Sequence, residues 1–204
     1  MTSFLILHGF QNHRPAGHWQ HWLADELTAL GHHVSYPQLP NPDDPDLEVW
    51  LGELHRLLGE LQGEERVVIC HSLSVLLWLH ATARGTGDVR ADRVLLVAPP
   101  SPQVVGEYPE VATFAPPEVD APRLHAAGHT RLVAADNDPY CPGGAAAHYG
   151  RPYGLDTDTV PGGAHLDLPA GYGPWPSVLD WCLEPSAPVN PRSAGQVLER
   201  LPRT

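Results

Sequence analysis

Short apolar runs alternate along this chain with stretches whose apolar residues recur at helical spacing. Phe4–Leu7 is a compact apolar run that reaches Gly9 through His8. Beyond it Trp19, Leu23, Leu27 and Leu30 share one face of a helix that Gly31 stops. His33–Tyr36 reads as a weak second strand before the proline-rich Pro37–Pro45. From about Asp46 to Gln62, Leu47, Trp50, Leu51, Leu54, Leu57, Leu58 and Leu61 mark an amphipathic helix. Val67–Cys70 and Val94–Ala98 are unbroken apolar runs, as strands covered on both faces should be, with a helix from about Ser72 to Arg84 between them. Leu132–Ala135 and Leu155–Val160 are two more strands, and Pro176–Leu183 a last helix. Strands alternating with helices predict a parallel α/β sheet with helices on both faces. Pro99–Pro122, rich in proline, predicts only broken structure. The boundaries expected are one domain over residues 1–184 and a Pro/Ser-containing tail, 185–204, in which Ala194–Leu201 has the pattern of a short helix.

Composition narrows the chemistry. The 204 residues are 42% hydrophobic and 18% charged, enough for an ordinary core and against disorder as the dominant state. A net charge of −12 repels nucleic acid and anionic membranes, so neither is expected as a partner. All 12 basic residues are arginine. Without lysine there is no Schiff base, no P-loop phosphate lysine and no Ser-Lys dyad. Three cysteines, Cys70, Cys141 and Cys182, do not suggest a disulfide framework, and the N-terminus lacks the basic region of a signal peptide. A cytoplasmic protein is expected.

Val67–Cys70 runs straight into a helix through His71-Ser72-Leu73. A serine there either caps the helix or sits on a sharp turn with its hydroxyl above the sheet edge, next to a helix N-terminus that favours an oxyanion. The turn usually has glycine two residues to either side, where this chain has Cys70 and Ser74. A serine nucleophile also needs an acid and a base, in the order Ser, Asp or Glu, His. Asp136-Asn137-Asp138 follows the strand ending at Ala135, and His165 follows the last strand in a glycine-rich turn. Asp136, at the strand end, competes with Asp138 for the acid. Leu73 would supply one oxyanion N–H; the other would come from Phe10 or Gln11 after the first strand, and Phe10 follows Gly9 directly. The histidines at 8, 13, 18, 21, 32 and 33 lack ligand-like spacing, so no metal is expected. Trp19 and Trp22 are expected to pack against the first loop. Cys70 ends a buried strand and does not occupy the turn, which argues against it as nucleophile.

His8-Gly9-Phe10, His18-Trp19-x-x-Trp22-Leu23, Cys70-His71-Ser72-Leu73, Asp138-Pro139-Tyr140-Cys141-Pro142 and Gly163-Ala164-His165 resemble the small serine hydrolases related to retinoblastoma-binding protein 9 and the bacterial YdeN proteins. The resemblance runs from Phe4 to about Leu183. It implies an α/β-hydrolase fold with Ser72 as nucleophile, Asp138 as acid and His165 as base, acting on a small-molecule ester or thioester without a cofactor. Two other readings stay open. One is a catalytically weak binding protein, with room for a protein partner; the other is acyl transfer or carbon–carbon cleavage by the same triad. Between Ala98 and Arg131 only about thirty residues remain, of which a strand-to-strand crossover takes a dozen or more. No lid domain is therefore expected, and an open, shallow cleft suited to short acyl groups is.

Overall fold

The computed structural model describes residues 1–85, 89–118 and 120–191. Six strands form one sheet: β1 (Thr2–Leu7), β2 (His33–Ser35), β3 (Glu65–His71), β4 (Arg93–Val97), β5 (His129–Ala135) and β6 (Asp156–Val160). Their order is β2-β1-β3-β4-β5-β6, and every pairing is parallel. The period of two along each strand divides the core in half. Phe4, Ile6, Val67, Ile69, Leu95, Val97 and Val133 face one side, where α1 (Trp19–Ala29) and α7 (Pro176–Leu183) cover them. Leu5, Leu7, Val68, Cys70, Val94, Leu96 and Leu132 face the other, under α2 (Leu47–Glu60) and α3 (Leu73–Arg84). Burying each such side chain contributes about 1.5–3 kcal/mol, which makes covering both faces the main source of stability.

The chain leaves β1 for the edge strand β2 and then returns to the other side of β1 as β3. The connections after β1 and β3 therefore depart to opposite faces, α1 to one and α3 to the other, and a crevice opens between adjacent strand ends. Gly9 and Ser72 lie at that crevice.

The proline-rich segment is more ordered than expected. It contains α4 (Pro102–Glu107), a 3₁₀ helix over Pro109–Phe114 and α5 (Ala121–Ala127). Pro102, Pro109 and Pro122 each stand in a first turn, where the missing N–H costs nothing and the fixed φ suits the helix. Ser101 and Asp120 cap the two α-helices by accepting from Val104 N and Arg123 N. A π-helical turn, Ala146–Gly150, running into α6 (Arg151–Tyr153), also has no counterpart in the hydrophobic pattern.

Residues 185–191 pack back on the domain. Ala187 O accepts from Arg131, Val189 N donates to Asp158, and Trp175 Nε1 donates to Asn190 O at 2.8 Å. The expected helix over Ala194–Leu201 lies outside the described residues. Among the described residues no helix is long and apolar enough to cross a membrane.

Candidate active site

Ser72 stands between β3 and α3 with φ 57° and ψ −120°, a positive-φ conformation that costs a non-glycine residue roughly 1–3 kcal/mol. Its N–H is held by Val97 O at 2.9 Å, and its side chain makes no capping bond to α3. The hydroxyl is thus not spent on the helix. It meets His165 Nε2 at 2.9 Å, while His165 Nδ1 lies 2.9 and 3.1 Å from the two carboxylate oxygens of Asp138. Three residues from three strand ends form one hydrogen-bonded row.

Each supporting loop is tied by its neighbours. Asp138 is buried, and its Oδ1 also accepts from Tyr140 N at 2.8 Å. Asp136 does not reach His165; its Oδ1 accepts from Gly162 N. Asn137 Oδ1 accepts from Ala164 N, so the acid-bearing loop braces the histidine-bearing loop at two points. Tyr140 lies edge-on to His165, ring centroids 4.6 Å apart.

The substituted elbow positions have a physical account. Ser74 Oγ accepts from His71 N at 2.9 Å and can donate to Leu7 O or His71 O, both at 2.9 Å. It stitches β1, β3 and the first turn of α3 together. Cys70 is fully buried on the α2/α3 face, and burial pushes its thiol up, away from the thiolate a nucleophile needs. The close approach that glycine serves here is at Gly9. A Cβ there would come within 2.8 Å of Ser72 Cβ and 3.3 Å of Leu73 N, so the loop after β1 passes directly over the start of α3.

That loop is pinned by His8, whose Nδ1 donates to Gly9 O at 2.8 Å and whose Nε2 accepts from Leu39 N at 2.8 Å. Burial lowers its pKa to about 4, which keeps the ring neutral and able to accept. Of the two candidate donors in the loop, Gln11 N is already given to Pro42 O.

Trp19 reaches residues far along the chain. It is fully buried against His71 and Trp175, and its Nε1 donates to Leu166 O at 2.8 Å, in the histidine-bearing loop. The hydrogen bond to Leu166 spans 147 positions, beyond any periodicity. His71, His18 and Tyr140 likewise gain places beside the site that no local pattern marks. Among the described residues no group of three or more His, Cys, Asp or Glu is placed to hold a metal.

Ser72 and His165 open onto a cleft of about 580 Å³, within the usual range for small-molecule sites. The sequence leads to a shallow cleft, but Val104, Val105, Tyr108 and Val111 of the proline-rich segment form an apolar wall along one side. Tyr108, Tyr140 and Leu168 at the rim are 42%, 41% and 39% exposed.

A sheet of this order, with a serine, a histidine and an aspartate bonded in sequence at its strand ends, is that of an α/β-fold hydrolase. The serine hydrolase family profile matches residues 4–183, and the chain belongs to that family. Solved structures agree in fold. The YdeN gene product of Bacillus subtilis superposes with a TM-score of 0.76 at 21% identity, over 90% of this chain and 97% of that one. A YdeN-like hydrolase of Pectobacterium atrosepticum gives 0.71 at 20% identity, over 90% and 89%. Est1E of Butyrivibrio proteoclasticus gives 0.65 at 16% identity, over 89% and 87%. No curated protein matches the chain in sequence.

Proposed function

We propose that the protein hydrolyses a carboxylic ester or thioester of a small molecule with a short acyl group. The observation that carries this reading is the 2.9 Å contact between Ser72 Oγ and His165 Nε2, with Asp138 behind the ring. His165 accepts the Ser72 proton as Oγ attacks the acyl carbon. Asp138 accepts from Nδ1–H, which leaves the Nε2 lone pair facing serine and stabilises the imidazolium once it forms. Negative charge on the carbonyl oxygen is met by the N–H groups of Leu73, at the start of α3, and Phe10. The protonated His165 then gives its proton to the departing alcohol or thiol, and water, activated by the same histidine, releases the acyl group from Ser72. No step calls on a cofactor.

Asp138→Asn and Asp136→Asn separate the two neighbouring acids. An amide at 138 can present N–H to Nδ1, which moves the ring proton to Nε2 and removes the base. Turnover should fall on the order of 10⁴-fold. At 136 an amide oxygen still accepts from Gly162 N, so turnover should stay within about threefold. A severe loss at 136 with a mild one at 138, measured as kcat/KM on an activated ester, assigns the acid to Asp136 instead.

Chain length tests the substrate class. The exposed rim leaves a long acyl chain partly in water, where each further methylene forfeits most of its burial gain of about 0.8 kcal/mol. In a p-nitrophenyl ester series, acyl groups of roughly two to four carbons should be turned over faster than those of about twelve. An optimum at the long end refutes the short-acyl assignment.

A further inference from the structure

The peptide unit between Gly9 and Phe10 is held by its carbonyl end. Gly9 O accepts from His8 Nδ1 at 2.8 Å, and His8 is wholly buried, so that oxygen is turned into the interior. The C=O and N–H of one trans peptide point in opposite directions. The Phe10 N–H is therefore turned the other way, toward the cleft that Phe10 lines. Among the described residues no backbone carbonyl takes it, whereas the next N–H, that of Gln11, is spent on Pro42 O at 2.8 Å. Gly9 also touches the start of α3. A Cβ on it would stand 2.8 Å from Ser72 Cβ and 3.3 Å from Leu73 N, so this peptide lies beside both residues.

What fixes His8 comes from the connection between β2 and α2. Leu39 N donates to His8 Nε2 at 2.8 Å, so Nε2 holds the lone pair and the ring hydrogen sits on Nδ1. That is the tautomer able to hold Gly9 O. Gln38 Nε2 lies 2.8 Å from the same ring nitrogen and donates to Asn12 O at 3.0 Å, farther along the loop. Pro37, Pro40 and Pro42 stand around Gln38 and Leu39, each with its φ fixed by the ring. The loop that these groups brace is strained, with φ of 53° at Gln11 and 54° at Arg14. Glycine at position 9 adds freedom, since the peptide that follows it can turn over at little steric cost. Turned over, it would aim an acceptor, Gly9 O, where an N–H now points.

We propose that His8 is a positioning residue: its Nδ1–H holds Gly9 O and so aims the Phe10 N–H at the carbonyl oxygen of the substrate, while Leu39 N selects the tautomer that can do this. His8 touches no substrate and transfers no proton. Its role rests on the reading of Ser72 as nucleophile and Phe10 as oxyanion donor. A charged oxygen takes a much stronger hydrogen bond from Phe10 N–H than the neutral carbonyl does. A misdirected peptide therefore costs kcat more than KM.

Two amide substitutions in the full chain separate the two nitrogens of His8. In His8→Asn the side-chain N–H₂ stands near the place of Nδ1 and can still donate to Gly9 O, but nothing reaches Leu39 N. In His8→Gln the amide oxygen stands near the place of Nε2 and accepts from Leu39 N, while the donor to Gly9 O is gone. Each is assayed on p-nitrophenyl acetate and on its thiono analogue, whose sulfur is a weak acceptor and gains little from an oxyanion donor. His8→Gln should lower kcat on the oxygen ester about 100-fold, with KM changed less than about threefold. The ratio of oxygen-ester to thiono-ester turnover should fall at least about tenfold with it. His8→Asn should keep that ratio within about threefold of the wild type. Equal losses on both esters in His8→Gln, or an asparagine variant with as low a ratio as glutamine, leave the serine chemistry standing and overturn the role of His8. Should either variant not fold, ¹⁵N spectra of the wild type decide. His8 should carry its hydrogen on Nδ1, and the Phe10 amide proton should move downfield when trifluoroacetone forms its tetrahedral adduct. A hydrogen on Nε2, or an unmoved Phe10 amide in the adduct, overturns the proposal. A wild-type protein that hydrolyses neither ester through Ser72 removes the triad, and the role of His8 falls with it.

Discussion

Ser72→Ala should abolish labelling by a fluorophosphonate probe and lower ester turnover on the order of 10⁴–10⁶-fold. The size of the loss follows from the role proposed for Ser72. Among the described residues its Oγ is the candidate nucleophile in contact with His165, and the remaining oxyanion donors can at most accelerate attack by water. The fold should be untouched, because the hydroxyl makes no helix-capping bond and its partner is the imidazole. Unfolding free energies of the two proteins should agree to within about 1 kcal/mol. Cysteine labelling is not a competing explanation, since Cys70 is fully buried and Cys141, 3% exposed, has its thiol pushed up to about 12. Equal labelling of the wild type and the Ser72→Ala variant would refute the nucleophile assignment and favour a binding protein built on the hydrolase fold.

Acid should destabilise the domain well before its carboxylates titrate. His8 and His18 are buried with pKa values lowered to about 4, desolvation being the main cause in each, and His71 is lowered further still. In the unfolded chain the same rings protonate near the ordinary value of about 6.5. Between those pH values the unfolded state binds protons that the folded state refuses. Stability is therefore fully retained above about pH 6.5, declines as pH falls below it, and has lost each ring's full contribution near pH 4. His8 and His18 each account for about 3 kcal/mol over that range. Set against a typical total of about 5–15 kcal/mol, the sum places acid unfolding within reach of pH 4. Glu53 and Glu65, whose pKa values are lowered by Arg56 and Arg93, add their losses only below the usual carboxylate range. Denaturant midpoints from tryptophan fluorescence should fall steadily from about pH 6.5 to about pH 5, a window that isolates the histidines. A flat profile there would mean that these rings are not held neutral in the fold.

Much of the architecture is legible because it rests on local periodicity. The apolar runs 67–70 and 94–98 and the leucine face of residues 47–61 determine strand, strand and helix whatever their surroundings, since only burial satisfies them. The order of Ser72, Asp138 and His165, each just beyond a strand, is likewise open to inspection. Parallel strands put all their C-terminal ends on one edge of the sheet, so residues far apart in the chain are delivered to one crevice. Proline is the exception, because a reading of it as a breaker alone hides what it starts. Pro102, Pro109 and Pro122 open helical turns, and two of those turns build the cleft wall.

What the sequence determined by itself is the succession of strands and helices, the strand-end placement of serine, acid and histidine, and a chemistry free of lysine. Only the tertiary structure decided between Asp138 and Asp136 as the partner of His165, because two acids two residues apart differ in direction and not in pattern. Only it showed that Ser74 stitches the elbow, that Trp19 braces the histidine-bearing loop, and that His18 and His71 are buried beside each other behind the site. Those outcomes depend on side-chain orientation and on contacts across as many as 147 positions. Hydrophobic periodicity says which face of an element is buried; it carries no information about which polar atoms then meet.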